Sequence, residues 1–511
     1  MSFNRFFNEW KWTILLLMAI VGTAFFLRFF NLTLLPVFAD EAIYIRWSQI
    51  MANEATLRFL PLSDGKQPLY MWILMFFVER FSDPLFIGRL LSVVCGIGTL
   101  FGIFAVSYIL FENKKVSLVA AFLYAISPFS VFFDRLALVD SMLNLFGVWS
   151  VFLSILTVKT KRLDLAMIMG VALGFMLLTK SPAIFFILLI PFTWFMAQKK
   201  SDIFKLLPLY GVSLIIAYGM YGILHLGPNY HLIALRNLDY VYPYSHILTD
   251  PLNPLKGHMG GIINYFILLA PLSLVPLFMM GILTNLKKNL MTILPIMALA
   301  FGPLIVIAEY SKVVTARYIL FTIPFFIILA AAAFISKSKW IKYLSTALLI
   351  LFIIQSALFD FKLLTKIEEA PLPPGDKSGY LEEWTAGQGI KEISEFIKNE
   401  HLKNPNQKIV IGTEGYFGTL PQGLEMYLQD TTNVVVIGVG LGINKIPNSL
   451  SESKLSGNKT YLVINKSRLA EIPEKIGLKL ISSYEKPARR PGTMEYSLYG
   501  PQEILYFFEV E

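Results

Sequence analysis

The chain has 511 residues, of which 55% are hydrophobic and 15% charged; soluble domains carry about 25% charged residues, so a soluble enzyme is excluded. Lys and Arg number 44 against 35 Asp and Glu, a formal charge of +9, which in a polytopic membrane protein marks basic cytoplasmic loops rather than nucleic-acid binding. The single cysteine, Cys95, lies in an apolar run, which rules out an internal disulfide and a cysteine-based metal cluster.

A membrane helix needs roughly 20 mostly apolar residues. The first candidate, 12–30, follows Arg5 and Lys11. It is too long for a signal-peptide core and lacks a small-residue cleavage site, which predicts an uncleaved anchor with a cytoplasmic N-terminus. Further spans are read at 86–111, 116–133, 139–157, 165–179, 182–197, 206–225, 260–284, 290–308, 317–335 and 340–358, about eleven in all. The basic clusters Lys114/Lys115, Lys159/Lys161/Arg162, Lys199/Lys200/Lys205, Lys287/Lys288 and Lys337/Lys339/Lys342 all fall on the side of the N-terminus, as a positive-inside arrangement requires. An odd count of spans then leaves the C-terminal region outside. Two outer loops, 31–83 and 226–257, are long for a compact bundle; such loops tend to be functional, so chemistry is expected on the outer face.

The first outer loop begins PVFADEAIYIRWSQIMANEATL. Asp40 can cap a helix that carries Ile43, Trp47, Ile50 and Met51 on one face, with Glu41, Tyr44 and Ser48 around it. This predicts an amphipathic helix at the membrane interface. Asp40 and Glu41 serve either as cap and helix-dipole partners or as catalytic carboxylates. Lys66 follows in LSDGKQPLY; an outward lysine needs solvent or an anion, and its compact charge suits a phosphate. In FFDRLALVDSML, Asp134, Arg135 and Asp140 stand at the outer ends of apolar helices, where ionisable groups face a protein interior or an aqueous cavity. Asp134 beside Arg135 reads as a structural ion pair, and Asp140 has no neighbouring cation. In TKSPAIFF, Pro182 opens the sixth helix and leaves Lys180 at its outward approach. His225, His231, His246 and His258 are scattered about the second long loop, without the tight spacing of a metal site.

At about residue 360 the composition turns polar, after which come the turn-rich PLPPGDKSG and the helical period of GIKEISEFIKNEH. KIVIG at 408–412, NVVVIGV at 433–439 and KTYLVIN at 459–465 read as buried strands, with a helix in LPQGLEMYLQD at 420–430. GVGLG at 438–442 is a turn after a strand rather than a phosphate loop. The expected organisation is therefore a polytopic α-helical membrane domain over 1–359, with interfacial helices in its first outer loop. A small outward-facing soluble α/β domain follows over 360–511.

The order Asp40-Glu41 with Tyr44, the K-x-P at 66–68, GRLLS at 88–92, RLALVD at 135–140, and Thr179-Lys180 resembles glycosyltransferase family 39. This family lies in the GT-C superfamily, with the protein O-mannosyltransferases and the bacterial aminoarabinose transferases of lipid A. The likeness is strongest over 28–182, and ARYILFTIPFF at 316–326 looks like the family's late membrane segment. The resemblance implies a GT-C-like fold and a lipid bilayer setting, with a polyprenyl-phosphate-linked sugar as donor. It also implies a hydroxyl acceptor (protein, lipid or glycan) reached from outside a prokaryotic plasma membrane, and inversion at the anomeric carbon. On this reading Asp40 is the general base or the carboxylate that orients the acceptor, with Glu41 supporting it. Asp140 steadies oxocarbenium character or binds a sugar hydroxyl, and Lys66, with Tyr44, Arg135 and Lys180, holds donor phosphate and substrate. Arg236, Lys312 and Arg317 are further outward cations with no residue-by-residue match. In the aminoarabinose transferases an acidic residue directly precedes the matching lysine; here Gly65 does, with Asp64 before it. No cofactor is required by the sequence, and a divalent metal is compatible with it. The rival classes are a transporter or flippase for a lipid-linked or anionic substrate, since intramembrane charges also mark translocation paths, and a glycan-binding receptor.

Overall fold

The computed structural model describes residues 3–287 and 289–511. Lys288, from one predicted basic pair, lies outside the described residues, as does the side chain of Arg5. The chain divides into two compact units: residues 1–32, 56–73 and 89–373 form the first, and residues 33–55, 74–88 and 374–511 form the second.

The first unit is helical. Among the described residues, seven helices are long and apolar enough to cross a membrane, and a bent pair brings the count to as many as eight. The eleven predicted ranges are all helical, but prolines shorten or split several of them. The predicted span 116–133 is divided between Lys114–Ile126 and Pro128–Phe133, with Ser127 extended as a residue before proline tends to be. Leu255–Leu269 and Leu274–Asn285 meet at 107° across Pro271, and Ala183–Leu189 passes into a 3-10 stretch at Pro191.

What orders this unit is a buried charge cluster. Arg28 and Asp134 are both 0% exposed and pair at 2.9 Å. Arg28 also donates to the Ala125 and Tyr124 carbonyls (2.8 and 3.2 Å) and to Ser130 (3.1 Å). Asp134 accepts from Tyr124 (3.0 Å) and Ser141 (2.7 Å). A Cβ at Gly96 would stand 2.3 Å from the Asp134 carboxylate, so that position must be glycine. The expected Asp134–Arg135 pair is thus corrected: the partner of Asp134 is Arg28. Arg135 instead donates to the carbonyls of Leu27, Arg28, Phe30 and Asn31 at 2.7–3.1 Å, satisfying groups that the end of helix Phe3–Phe29 leaves orphaned.

Two of the basic clusters, at Lys114 and at Lys159 and Lys161, lie at the end of this unit remote from Asp140. Lys114 donates to the Glu9 carbonyl (2.8 Å), Lys159 to that of Ile109 (2.6 Å), and Lys161 pairs with Asp202 (2.7 Å). Helix Asp140–Thr160 has 21 residues, so at 1.5 Å per residue this basic end lies about 30 Å from Asp140.

The second unit holds a five-stranded sheet of β1 (Ile409–Thr413), β2 (Val434–Gly438), β3 (Lys459–Asn465), β4 (Leu478–Glu485) and β5 (Ile504–Val510), in the order β2-β1-β3-β5-β4. β1 pairs in parallel with β2 and β3, whereas β5 is antiparallel to β3 and β4. The predicted strands and intervening helix are present, the latter as Gln422–Leu428. β2 is only partly buried, contrary to expectation, because it is a sheet edge. β1 is buried throughout, as is β3 beyond its first residue.

Helix Ala39–Asn53 belongs to this unit. Its entry is stitched to the polar tail by Ala39 N–H to Thr385 (3.1 Å) and Gly387 N–H to Val37 (2.8 Å). Gln49 donates to the Met426 carbonyl (2.9 Å) and Arg46 pairs with Glu425 (3.2 Å). Glu41, Ser48 and Gln49 are buried along with Ile43, Trp47 and Met51, so the expected amphipathic surface helix is instead packed within protein.

Under the sheet, Lys486 is buried and donates to the Glu383 and Ala386 carbonyls and to Asn465 (3.0, 2.8 and 2.7 Å). Arg489 bridges Glu383 (2.6 and 2.9 Å) and Glu503 (2.6 Å). Burial pushes the Lys486 ammonium down to about 8, against the pull of Glu503, Glu414 and Glu383.

Two predictions follow from these clusters. Arg28→Met leaves Asp134 buried without its counter-charge and should cost about 3–5 kcal/mol in detergent-solubilised thermal or denaturant unfolding, whereas Arg28→Met with Asp134→Leu should recover much of it. For Lys486, the folded group releases its proton at a lower pH than the unfolded group with its ordinary value of 10.5. The unfolded state therefore holds more protons between about pH 8 and 10.5, and this group's contribution to stability rises with pH across that window. The pH slope of unfolding should be shallower in Lys486→Met.

Candidate active site

Five separate segments of the first unit converge on one polar locality. The turn 64–67 brings Lys66 Nζ to 3.4 Å and Arg236 Nη2 to 2.5 Å from the two oxygens of Asp64. Gln67 donates to Ser181 (2.8 Å), and Ser181 to Asn237 (3.4 Å). Lys180, next to Ser181, pairs with Asp140 at 2.6 Å and lies 4.7 Å from the centre of the Tyr318 ring. Arg317 approaches the same ring at 5.5 Å.

Local sequence explains each placement. Gly65 adopts φ +67 and closes the 3-10 turn Leu60–Asp64, and a Cβ there would stand 2.7 Å from the Arg236 Cβ. The missing acidic residue before Lys66 is thereby accounted for, since only glycine admits both the left-handed backbone and the helix Leu232–Tyr240 at that distance. Asp140 opens helix Asp140–Thr160, where the positive end of the helix dipole favours a carboxylate. Lys180 ends helix Leu163–Thr179 in an extended conformation, just ahead of Ser181-Pro182.

Electrostatically the arrangement is a cluster of paired charges. Asp64 is shared by two cations, and Arg236 has a second partner in Asp239 (3.1 Å). Lys66 and Lys180 are about one-quarter and one-fifth exposed, accessible to a ligand yet partly shielded from water. Such a set suits an oxyanion.

The remaining predicted residues fall elsewhere. Arg135 is committed to backbone carbonyls, as described above. In the second unit, Asp40 is half-buried in the first turn of Ala39–Asn53. The N-cap position is Phe38 rather than Asp40, and Glu41 caps by accepting the Phe38 N–H at 3.0 Å. Tyr44 is buried, 6.2 Å from the Trp47 ring. Lys312 donates to the Leu238 carbonyl (2.6 Å). His225 stacks on Tyr230 and His246 on Tyr242, while His258 contacts the Ala308 carbonyl (3.2 Å). No group of three His, Cys, Asp or Glu converges among the described residues.

Residues 65–221 match the model of the dolichyl-phosphate-mannose-protein mannosyltransferase family, a segment that contains Lys66, Asp140 and Lys180. No curated protein sequence matches the chain. Among solved structures, ArnT from Cupriavidus metallidurans bound to undecaprenyl phosphate is similar at TM-score 0.59 and 13% identity, over 97% of this chain and 98% of that one. Its apo state gives 0.58 and 12%, over 98% of each. The archaeal oligosaccharyltransferase AglB from Archaeoglobus fulgidus, in complex with an inhibitory peptide and a dolichol-phosphate, gives 0.52 and 13%, over 90% of this chain and 70% of that one.

The chain has an ArnT-like fold. The resemblance read from short motifs therefore holds at the level of fold. Within this locality, the sequence pointed to Lys66, Asp140 and Lys180 but not to the pairing of Asp64 with Arg236. The one available signal was Gly65, a glycine between two charged residues.

Gly65→Ala should destabilise the chain by about 1–2 kcal/mol for the left-handed backbone alone, with a further loss from displacing Arg236. Melting of the purified protein checks this, and an unchanged melting temperature would contradict the role given to the turn.

Proposed function

We propose that the chain is an integral membrane glycosyltransferase that moves a sugar from a polyprenyl-phosphate donor to a hydroxyl acceptor. The observation that carries this reading is the Lys66–Asp64–Arg236 cluster, joined through Gln67, Ser181 and Asn237 to the Lys180–Asp140 pair. Lys66 and Arg236 are held together by Asp64 and both stay partly exposed, so both can reach a phosphate. That ArnT binds undecaprenyl phosphate and AglB a dolichol-phosphate supports the same donor class here.

In the reaction, the acceptor hydroxyl gives its proton to a carboxylate as its oxygen bonds to the anomeric carbon. The bond from that carbon to the phosphate oxygen breaks, and the electron pair leaves with the polyprenyl phosphate. A single displacement of this kind inverts the anomeric centre. Lys66 and Arg236 stabilise the charge that grows on the departing phosphate. Asp140 keeps one oxygen on Lys180 and offers the other to a sugar hydroxyl or to developing positive charge. Asp40 is the proposed base, on the family resemblance. Arg135 and Glu41 act as positioning residues, since their polar groups hold backbone.

The basic clusters about 30 Å from Asp140 support a cytoplasmic assignment for that end and an outer-face reaction, with residues 360–511 outside a prokaryotic plasma membrane. The acceptor hydroxyl belongs to a protein, a lipid or a glycan.

In nanodiscs, Lys66→Met and Arg236→Met should each weaken undecaprenyl-phosphate binding at least about tenfold, the loss of one charge-assisted contact. Asp40→Asn should abolish transfer while leaving that binding intact. Full transfer by Asp40→Asn would remove Asp40 as base. Movement of a lipid-linked sugar across the bilayer without a new glycosidic bond would favour the flippase reading.

A further inference from the structure

The second unit carries an aromatic surface that the transfer reaction does not use. Its parallel strands place β2 and β3 on opposite sides of β1, so the chain reverses its winding direction at β1. In such sheets, ligands bind beyond the carboxyl ends of the strands at this reversal. The segment just past β1 holds Tyr416 and Phe417, which are 73% and 47% exposed, beside Trp384 at 36%. Gly418 joins them: a Cβ there would lie 3.4 Å from the Trp384 ring. Phe417 in turn leans on Trp47, with ring centres 5.8 Å apart.

The turn after β3 supplies Arg468, whose guanidinium lies 5.0 Å from the centre of the Trp384 ring. Its Nε is buried and has no hydrogen-bond acceptor among the described residues. The Glu414 carboxylate just past β1 interacts electrostatically with Arg468 but accepts its hydrogen bonds from Asn465 (2.6 and 2.8 Å) and none from the Arg468 Nε. A buried donor without an acceptor is costly and calls for an explanation. Three exposed rings around it are equally unusual for a surface with no partner.

We propose that this surface binds a sugar ring bearing a carboxylate or phosphate, and that the acceptor is an acidic glycan held here by the soluble unit. The rings match the apolar C–H face of a pyranose, and Arg468 matches a planar or tetrahedral oxyanion through paired N–H donors. The identity of the acceptor rests on the glycosyltransferase reading; the binding site itself does not.

The full-length protein in nanodiscs is titrated with a glucuronate-containing oligosaccharide, a phosphorylated oligosaccharide and a neutral oligosaccharide of equal length, following tryptophan fluorescence and calorimetry. One or both acidic ligands should bind, and the neutral one should bind at least tenfold more weakly. Arg468→Gln should erase that preference, while Phe417→Ser should weaken all three ligands. Trp384→Phe, which keeps a ring, should retain binding if Trp384→Ala fails to fold. Undecaprenyl-phosphate binding is measured in parallel and should be unchanged in Arg468→Gln. Absence of binding by every saccharide, or acidic binding that survives Arg468→Gln, overturns the proposal. Saccharide binding in a protein that binds no polyprenyl phosphate would instead sink the donor reading alone.

Discussion

A single buried ion pair, Arg28 with Asp134, governs how the first unit is organised. Both side chains are fully enclosed, and an isolated charge in such a place would cost several kcal/mol. The surrounding hydroxyls and carbonyls are therefore arranged to share it. The same segment that supplies Asp134 supplies Arg135, which ends the first helix, and then turns into the helix that starts at Asp140. The position of a catalytic candidate is thus inherited from a structural constraint six residues upstream. Removing the charge would not merely loosen a contact; it would free the turn that aims Asp140.

The cation cluster obeys a different logic. Arg28 is fully enclosed, whereas Lys66 and Arg236, answered by Asp64 and Asp239, remain partly exposed. The contrast separates charge buried for building from charge that a ligand can reach. Two positively charged groups held near one another repel, so the turn at Gly65 and the Gln67–Ser181–Asn237 links must hold the arrangement in the absence of an anion.

How much of this could be read in the residues depended on range. Apolar runs of about 20 residues and three strand-like segments were legible because periodicity and length are local properties. Span ends were less so, since Pro128, Pro191 and Pro271 break helices inside runs that remain uniformly apolar. Of the site, Lys66, Asp140 and Lys180 carried family motifs. Their companions Arg236 and Asn237 sit in a loop helix with no motif, and the link from Asp64 to Arg236 spans 172 positions. Arg135 was placed with the substrate groups because an arginine near a membrane end looks functional; its four carbonyl partners come from a helix end more than a hundred residues earlier. β4 is hidden because a lysine and two serines interrupt its apolar run, and β5, an apolar run, is not among the strands read.

Helix Ala39–Asn53 and residues 74–88 are covalently part of the membrane loops yet pack with residues 374–511. The soluble unit is therefore discontinuous in the chain, and its modularity is only apparent. A gene fusion or domain exchange made at residue 374 would carry away the sheet and leave behind the helix that bears Asp40, with Arg46, Gln49 and Trp47 stripped of Glu425, Met426 and Phe417. The tail and the first loop have to be exchanged together if either is to keep its packing.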